Sequence, residues 1–296
     1  MDGFINVFKP PGMTSADVVY HLRRLLNTKK VGHTGTLDPG ASGVLPICVG
    51  QATRVAEYLT NQGKVYQAEM TLGVCTTTQD RDGEILSSAQ PQLIQADLLR
   101  ILPDFTGEIE QVPPMFSAVR VKGKHLYEYA RAGQEIERCP RQACIYTLRL
   151  KQWTQGAFPK ALLDIECSKG TYIRTLCYDI GQALGCGAYM SDLLRVKSGP
   201  FEIAQSWTLE RLQSALDKGD RSFISHVSQG LDLPLIALPA ARVRAFCSGL
   251  SSDTRWIQAP EIVDGAHVQV THDEELLGIG IWQGNALYPH KVMKQI

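Results

Sequence analysis

Apolar side chains recur along this chain in two rhythms, every second residue and every third or fourth, and the two predict different elements. Residues 4–8 alternate and predict a strand, stopped by Pro10-Pro11-Gly12. Thr14-Ser15-Ala16-Asp17 has the spacing of a capping box, and Val18, Val19, Leu22, Leu25 and Leu26 form one apolar helix face behind it. Strands are predicted over residues 65–72, 143–153 and 161–167, and helices over 53–59 and 92–102. Residues 79–83 read as a polar turn and residues 111–118 as a stiff, proline-rich loop. Ser168-Lys169-Gly170-Thr171 opens a helix with Ile173, Leu176, Cys177, Ile180 and Leu184 on one side, and Gly185 closes it. A second short helix is predicted over 189–195. Past about residue 235 the texture changes. A helix at 240–247 precedes strands at 267–270, 277–282 and 286–288, with hairpin turns at Asp273-Glu274-Glu275 and Gly284-Asn285. Two units are expected, residues 1–234 and a small β-rich module over 235–296.

Composition narrows the class. Over 296 residues, 44% hydrophobic and 20% charged side chains suit an ordinary globular protein with a sizeable core. The eight cysteines form no Cys-x-x-Cys pair and have no histidine cluster beside them, so zinc and redox motifs are unsupported. Several lie in apolar runs and read as buried thiols. Neither a signal-peptide pattern nor an apolar run of about 18 residues is present, so a cytoplasmic protein without a membrane segment is expected. Lys+Arg and Asp+Glu both total 30, which argues against nucleic acid as a partner. Distribution qualifies this: between Arg120 and Lys151 eight Lys or Arg stand against three Glu. Such a run is either a solvated face or a phosphate grip.

The least regular stretch is Gly32-His33-Thr34-Gly35-Thr36-Leu37-Asp38-Pro39-Gly40-Ala41-Ser42-Gly43, flanked by apolar runs. Its glycines and proline exclude a regular helix or strand. The spacings of phosphate-binding and dinucleotide-binding loops are both absent. Two readings remain: Asp38 bonds its own backbone ahead of Pro39, or a rigid loop holds it at a pocket wall as nucleophile or base.

This loop closely resembles the signature loop of the bacterial tRNA pseudouridine-55 synthases, the TruB family. Five further stretches are similar to that family's motifs, in the same order. They are Asn6-Val7-Phe8-Lys9-Pro10-Pro11-Gly12-Met13-Thr14-Ser15, Lys64-Val65-Tyr66-Gln67-Ala68-Glu69-Met70-Thr71-Leu72-Gly73, Val112-Pro113-Pro114-Met115-Phe116-Ser117-Ala118, Ser168-Lys169-Gly170-Thr171-Tyr172-Ile173-Arg174-Thr175-Leu176 and Ser198-Gly199-Pro200-Phe201. Together they cover roughly residues 3–210. Residues 235–296 resemble the family's PUA-like RNA-binding module more loosely.

The resemblance implies an α/β (α+β) fold, with a central, mainly antiparallel sheet flanked by helices and the Asp38 loop at a cleft across it. It also implies roles. Asp38 is the catalytic carboxylate, Tyr66 stacks on the target base, and Arg174 pairs with Asp38. Leu193 forms an apolar pocket wall, His33 helps dislodge the target nucleotide, and Lys9 and Pro10 support the loop. Arg120, Lys122, Lys124, Arg131, Arg138 and Arg141 fall in an RNA-gripping segment at about 119–151. Tyr189 stands where the family often has His. Without the motifs, Tyr66 reads as a sheet-core aromatic and Arg174 as a surface cation.

The implied reaction turns uridine-55 of the tRNA T-loop into pseudouridine. The C1′–N1 bond breaks and C1′ rejoins the base through C5, with no redox change, so neither cofactor nor metal is needed. A carboxylate serves by attacking C1′ or C6, or by removing a proton. It must be ionised, and a bidentate arginine would keep it so in a dry pocket. The base must leave its stack, which an RNA loop makes cheaper than a duplex. The expected partner is the T-arm stem-loop, bound by a monomer with no protein partner. Alternatives are a catalytic subunit of a dyskerin-like guide-RNA particle and a non-catalytic tRNA-binding or folding factor.

Overall fold

The computed structural model describes residues 1–257 and 261–294. Ten strands form one sheet. From one edge it runs Ile224–Ser225, Gly3–Lys9, Ser42–Val49, Ala188–Ser198, Lys64–Leu72, Lys160–Cys167, Arg141–Thr154 and Gly107–Gln111, while Val31–His33 and Phe201–Glu202 pair beside this path. Neighbours are antiparallel except where Ser42 and Gly43 run parallel to Leu194 and Arg195. The mixed, mainly antiparallel architecture expected from the sequence is therefore present.

The helix Ser15–Leu25 starts where its capping box predicts: Thr14 Oγ1 accepts from the Asp17 amide, and the Asp17 carboxylate accepts from the Thr14 amide. Its Val18, Val19 and Leu22 join Ile173, Leu176, Cys177 and Ile180 of the helix Ile173–Ala183 in one core with Ile5, Leu45, Met70 and Leu163 of the sheet.

One element differs in kind from the sequence reading. Residues 189–195, expected as a helix, belong to the strand Ala188–Ser198. It lies between Ser42–Val49 and Lys64–Leu72, in the middle of the sheet. Register shifts between Met190 and Asp192 and between Arg195 and Lys197 break its alternation, so buried positions do not fall on every second residue. Two smaller differences concern boundaries. Gly32, His33, Ser42 and Gly43, read as loop, belong to strands, and the helix predicted over 92–102 begins at Gln95.

A second, five-stranded sheet contains Leu235–Ala237, His267–His272, Glu275–Gln283, Ala286–Val292 and Ser252–Asp253. Its two tight hairpins turn at Asp273-Glu274 and Gly284-Asn285, all four residues having positive φ, between 46° and 65°. The sheets meet in a shared apolar cluster that joins Phe4, Val44, Cys48 and Leu59 to Leu276, Ile279 and Met293. Beside it, Tyr58 Oη lies 2.7 Å from His267 Nδ1, and Lys291 pairs with Glu57 at 2.9 Å.

Candidate active site

Asp38 sits in the irregular stretch between Val31–His33 and Ser42–Val49, and many backbone groups around it are held. Buried Leu37 is pinned by Ser15, whose Oγ accepts from the Leu37 amide at 2.8 Å and donates to its carbonyl at 3.1 Å. Pro39 O accepts from the Gly12 amide at 2.8 Å and from Lys9 Nζ at 3.2 Å. Lys9 is fully buried and also donates to the carbonyls of Pro10 and Met13. Arg195 reaches the loop from beneath. Its Nη2 donates to Gly35 O at 3.0 Å, Nη1 to Thr36 O at 3.4 Å and Nε to Val44 O at 2.7 Å. Arg195 is 1% exposed, and its charge is met by carbonyl oxygens on both sides of Asp38. Gly43 has φ of 111°, and a Cβ there would stand 2.2 Å from Arg195 O, so no larger residue fits against the central strand.

Arg174 is presented by the first turn of the helix Ile173–Ala183, whose start is fixed by Gln111. The Gln111 side chain accepts from the Tyr172 amide at 2.9 Å and donates to Tyr172 O at 3.1 Å. The Arg174 guanidinium meets Asp38 through two nitrogens, Nε–Oδ2 at 3.0 Å and Nη2–Oδ1 at 3.4 Å. Nη1 pairs with Asp80 Oδ2 at 3.2 Å, and Nη2 also donates to Phe116 O at 2.9 Å. The surface-cation reading of Arg174 is therefore replaced by a buried fork between two aspartates. Burial pushes the Asp38 carboxyl above the ordinary range; Arg174 and Lys9 oppose this, and Asp80 and Asp82 reinforce it. The arginine pairing expected from the sequence is present and opposes the effect of burial.

Asp38, Gly40 and Ala41 line a cleft with residues 80–82 and 190–193, and Leu193 is part of its wall. A larger cavity of about 430 Å³ opens beside Gln62, Lys197 and Gly230, but it holds none of the candidate catalytic side chains. Tyr66, paired in register with Arg195 and Ile165, is 8% exposed, and its hydroxyl is pushed up by burial while feeling the charges of Arg195 and Asp38. It is thus a core aromatic, as the sequence reading without the motifs has it, and it does not line the Asp38 cleft. His33 ends its short strand, and its Nδ1 accepts from the Gly35 amide at 3.4 Å. Burial lowers its pKa, and Arg195 lowers it further. Burial likewise pushes Lys9 down to about 8. Pro10 contributes its carbonyl to Lys9.

The basic segment does not line this cleft. Arg120, Lys122, Lys124, Arg131 and Arg141 are exposed on a small hairpin, the helix Leu126–Arg131 and the strand next to the sheet's edge. Lys124 and Arg131 lie over the rings of Tyr129 and Tyr127. Arg138 differs: it donates to Pro113 O at 3.2 Å and pairs with Glu135 at 3.1 Å, which leaves only part of its guanidinium for another ligand.

Sequence reasoning passed over Asp80, Arg195, Gln111 and Ser15. Asp80 lay in a stretch legible only as a polar turn, and Arg195 at the end of a wrongly assigned helix. Ser15 was read as part of a cap, and Gln111 as the start of a loop.

The model for the TruB family pseudouridylate synthase N-terminal domain matches residues 23–173, and the tRNA pseudouridylate synthase B C-terminal domain matches residues 174–235. A tRNA pseudouridine synthase B from Moorella thermoacetica is 45% identical over 302 residues, with 99% of each chain covered. One from Symbiobacterium thermophilum is 55% identical over 213 residues, 72% of this chain and 71% of that one. Among solved structures, a Cbf5-Nop10-Gar1 complex contains a chain with TM-score 0.76 and 30% identity, covering 99% of this chain and 85% of that one. An H/ACA RNP bound to a substrate RNA containing 2′-deoxyuridine gives TM-score 0.75 at 28% identity, with 99% and 85% covered.

Proposed function

The chain belongs to the TruB family of pseudouridylate synthases, and from that membership we propose that it isomerises uridine-55 in the T-loop of tRNA, with Asp38 as the carboxylate that acts on the flipped nucleotide. It is a tRNA pseudouridine synthase, an isomerase. The observation that carries the assignment of Asp38 is its two-nitrogen pairing with buried Arg174 at the wall of a cleft. Arg174 and Lys9 hold negative charge on Asp38 against its burial, and that burial makes the carboxylate more basic than a free one. In the reaction C1′ leaves N1 and joins C5, the C5 proton passes to solvent, and N1 gains one. Tyr66 supplies a face for the extruded base, Leu193 an apolar wall, and His33 the contact that helps dislodge the nucleotide. Lys9 and Pro10 hold the loop. Residues 1–234 perform the chemistry, residues 235–296 add affinity for the RNA stem, and the basic segment grips phosphates. The protein works in the cytoplasm as a monomer, without guide RNA or protein partners.

The test is purified protein with unmodified tRNA carrying C5-tritiated uridine, and nothing else. Stoichiometric tritium release is expected. Asp38→Asn is expected to slow turnover by at least about 10³-fold while tRNA affinity stays within about threefold. Substantial turnover by that variant would remove Asp38 from its role. A requirement for guide RNA would favour the guide-particle reading instead.

A further inference from the structure

The cleft that holds Asp38 is narrow between its walls, although 37% of the Asp38 side chain is accessible. The space between its walls is about 10 Å³, room for about one water molecule, and a flipped uracil is several times larger. One wall is the Asp38-Pro39-Gly40-Ala41 turn; facing it is the tip of the turn at residues 80–82. The base of that second turn is fixed, because Asp80 accepts from Arg174 at 3.2 Å, from Thr78 Oγ1 at 2.5 Å and from the Asp82 amide at 3.1 Å. Its tip is tied across the opening by Arg81. Arg81 Nη2 donates to Gly40 O at 3.1 Å, and Nη1 stands 3.7 Å from Asp192 Oδ1. Gly40 permits the approach: a Cβ there would lie 3.1 Å from Asp82 Oδ2 and 3.6 Å from Arg81 Nε.

This tie is solvent-exposed, with 45% of the Arg81 side chain and 60% of the Asp192 side chain accessible. Exposed pairs of this kind contribute little and exchange readily. The surroundings give the exchange a direction. Asp38, Asp80, Asp82 and Asp192 all line the cleft and would repel an incoming phosphate. Arg174, with 7% of its side chain exposed, is already held by two carboxylates. Arg81 is the lining cation that faces solvent, and a guanidinium fork matches a phosphodiester better than it matches one carbonyl and one distant carboxylate.

We propose that Arg81 is an RNA-binding residue: as the target uridine enters, Arg81 releases Gly40 and Asp192 and takes the phosphodiester beside the flipped nucleotide. One movement opens the mouth and grips the backbone. The inference rests on the reading of RNA as substrate.

The experiment measures binding of a T-arm stem-loop by fluorescence anisotropy across a salt series, with wild type, Arg81→Ala and Asp192→Asn. A second RNA set replaces the linkage on either side of the target nucleotide with a neutral methylphosphonate. Arg81→Ala is expected to weaken binding about tenfold and to flatten the slope of log affinity on log salt by about 0.7–0.9. Asp192→Asn is expected to tighten binding, because it removes a partner of the closed mouth and keeps the phosphate contact. One methylphosphonate is expected to cost wild type about as much as the Arg81 substitution does, and to cost Arg81→Ala little more. An unchanged salt slope in Arg81→Ala, weakened binding in Asp192→Asn, or additive losses at both linkages would each overturn the proposal. Wild-type turnover with an unchanged Arg81→Ala slope defeats this inference alone. No isomerisation by wild type defeats the proposed function with it.

Discussion

Asp38 lies between opposed influences, and each is set by a residue that can be changed singly. Burial raises its pKa and Arg174 pulls it back, while Asp80, on the far side of the same guanidinium, raises it again. Activity is lost on the acid side as Asp38 takes up a proton. Arg174→Lys keeps a charge but loses the fork, so the acid limb of kcat is expected to move to higher pH, with kcat lowered about 10²-fold. Asp80→Asn removes a neighbouring negative charge, so its acid limb is expected to move to lower pH. Tritium release across pH 4–9 separates the two; shifts of the same sign would mean that the Asp38–Arg174–Asp80 chain is not the controlling electrostatic unit. At this scale the sequence was half legible. Asp38 and Arg174 stood out because each lies in a long, specific motif. Asp80 did not, because an aspartate in a polar turn looks the same whether it meets water or a buried arginine. Arg195 was hidden for the opposite reason: a cation in an apolar run reads as a surface residue, and nothing local says that three carbonyls await it.

Among the elements, legibility followed periodicity. Lys64–Leu72 and Lys160–Cys167 alternate over most of their length, and both they and the largely buried Gly3–Lys9 are predicted close to their observed bounds. The central strand Ala188–Ser198 is not, since two register shifts scramble its alternation and its Met and Leu residues favour a helix. The helix Ser15–Leu25 was read correctly, but its first turn serves two purposes that adjacent residues separate. Thr14 caps the helix, whereas Ser15 reaches across to both backbone groups of Leu37, next to Asp38. Thr14→Ala is expected to cost about 1 kcal/mol of stability with kcat nearly unchanged. Ser15→Ala is expected to cost about 1–3 kcal/mol and also to lower kcat, because it leaves the Leu37 amide unpaired and the loop slack. Urea titration beside steady-state kinetics checks both, and equal effects on kcat would show that the Leu37 clamp does not position the carboxylate.

At the scale of the whole molecule, the change of texture near residue 235 was legible, whereas the contact between the two sheets was not. An apolar residue in a strand does not reveal which sheet it will face. Leu276, Ile279 and Met293 complete a cluster whose other members include Val44 and Cys48, from the strand that follows the Asp38 loop. Removing residues 235–296 spares every candidate pocket residue but uncovers that cluster. Ile279, fully buried, is the sharper probe: Ile279→Ala is expected to cost about 2–5 kcal/mol and to lower the melting of both sheets together. Calorimetry showing two transitions, only one of them shifted, would mean that the units fold independently. The position of Arg195 has a consequence in time. Its bonds to Val44 and Gly35 span 151 and 160 residues of chain, and closing such long loops delays a fold. On a ribosome adding ~5–20 residues per second, the loop bearing Asp38 emerges roughly 8–30 seconds before the strand that fastens it. The nascent chain therefore carries its carboxylate on an unfastened loop, and its chemistry matures only after the middle of the sheet has been filled.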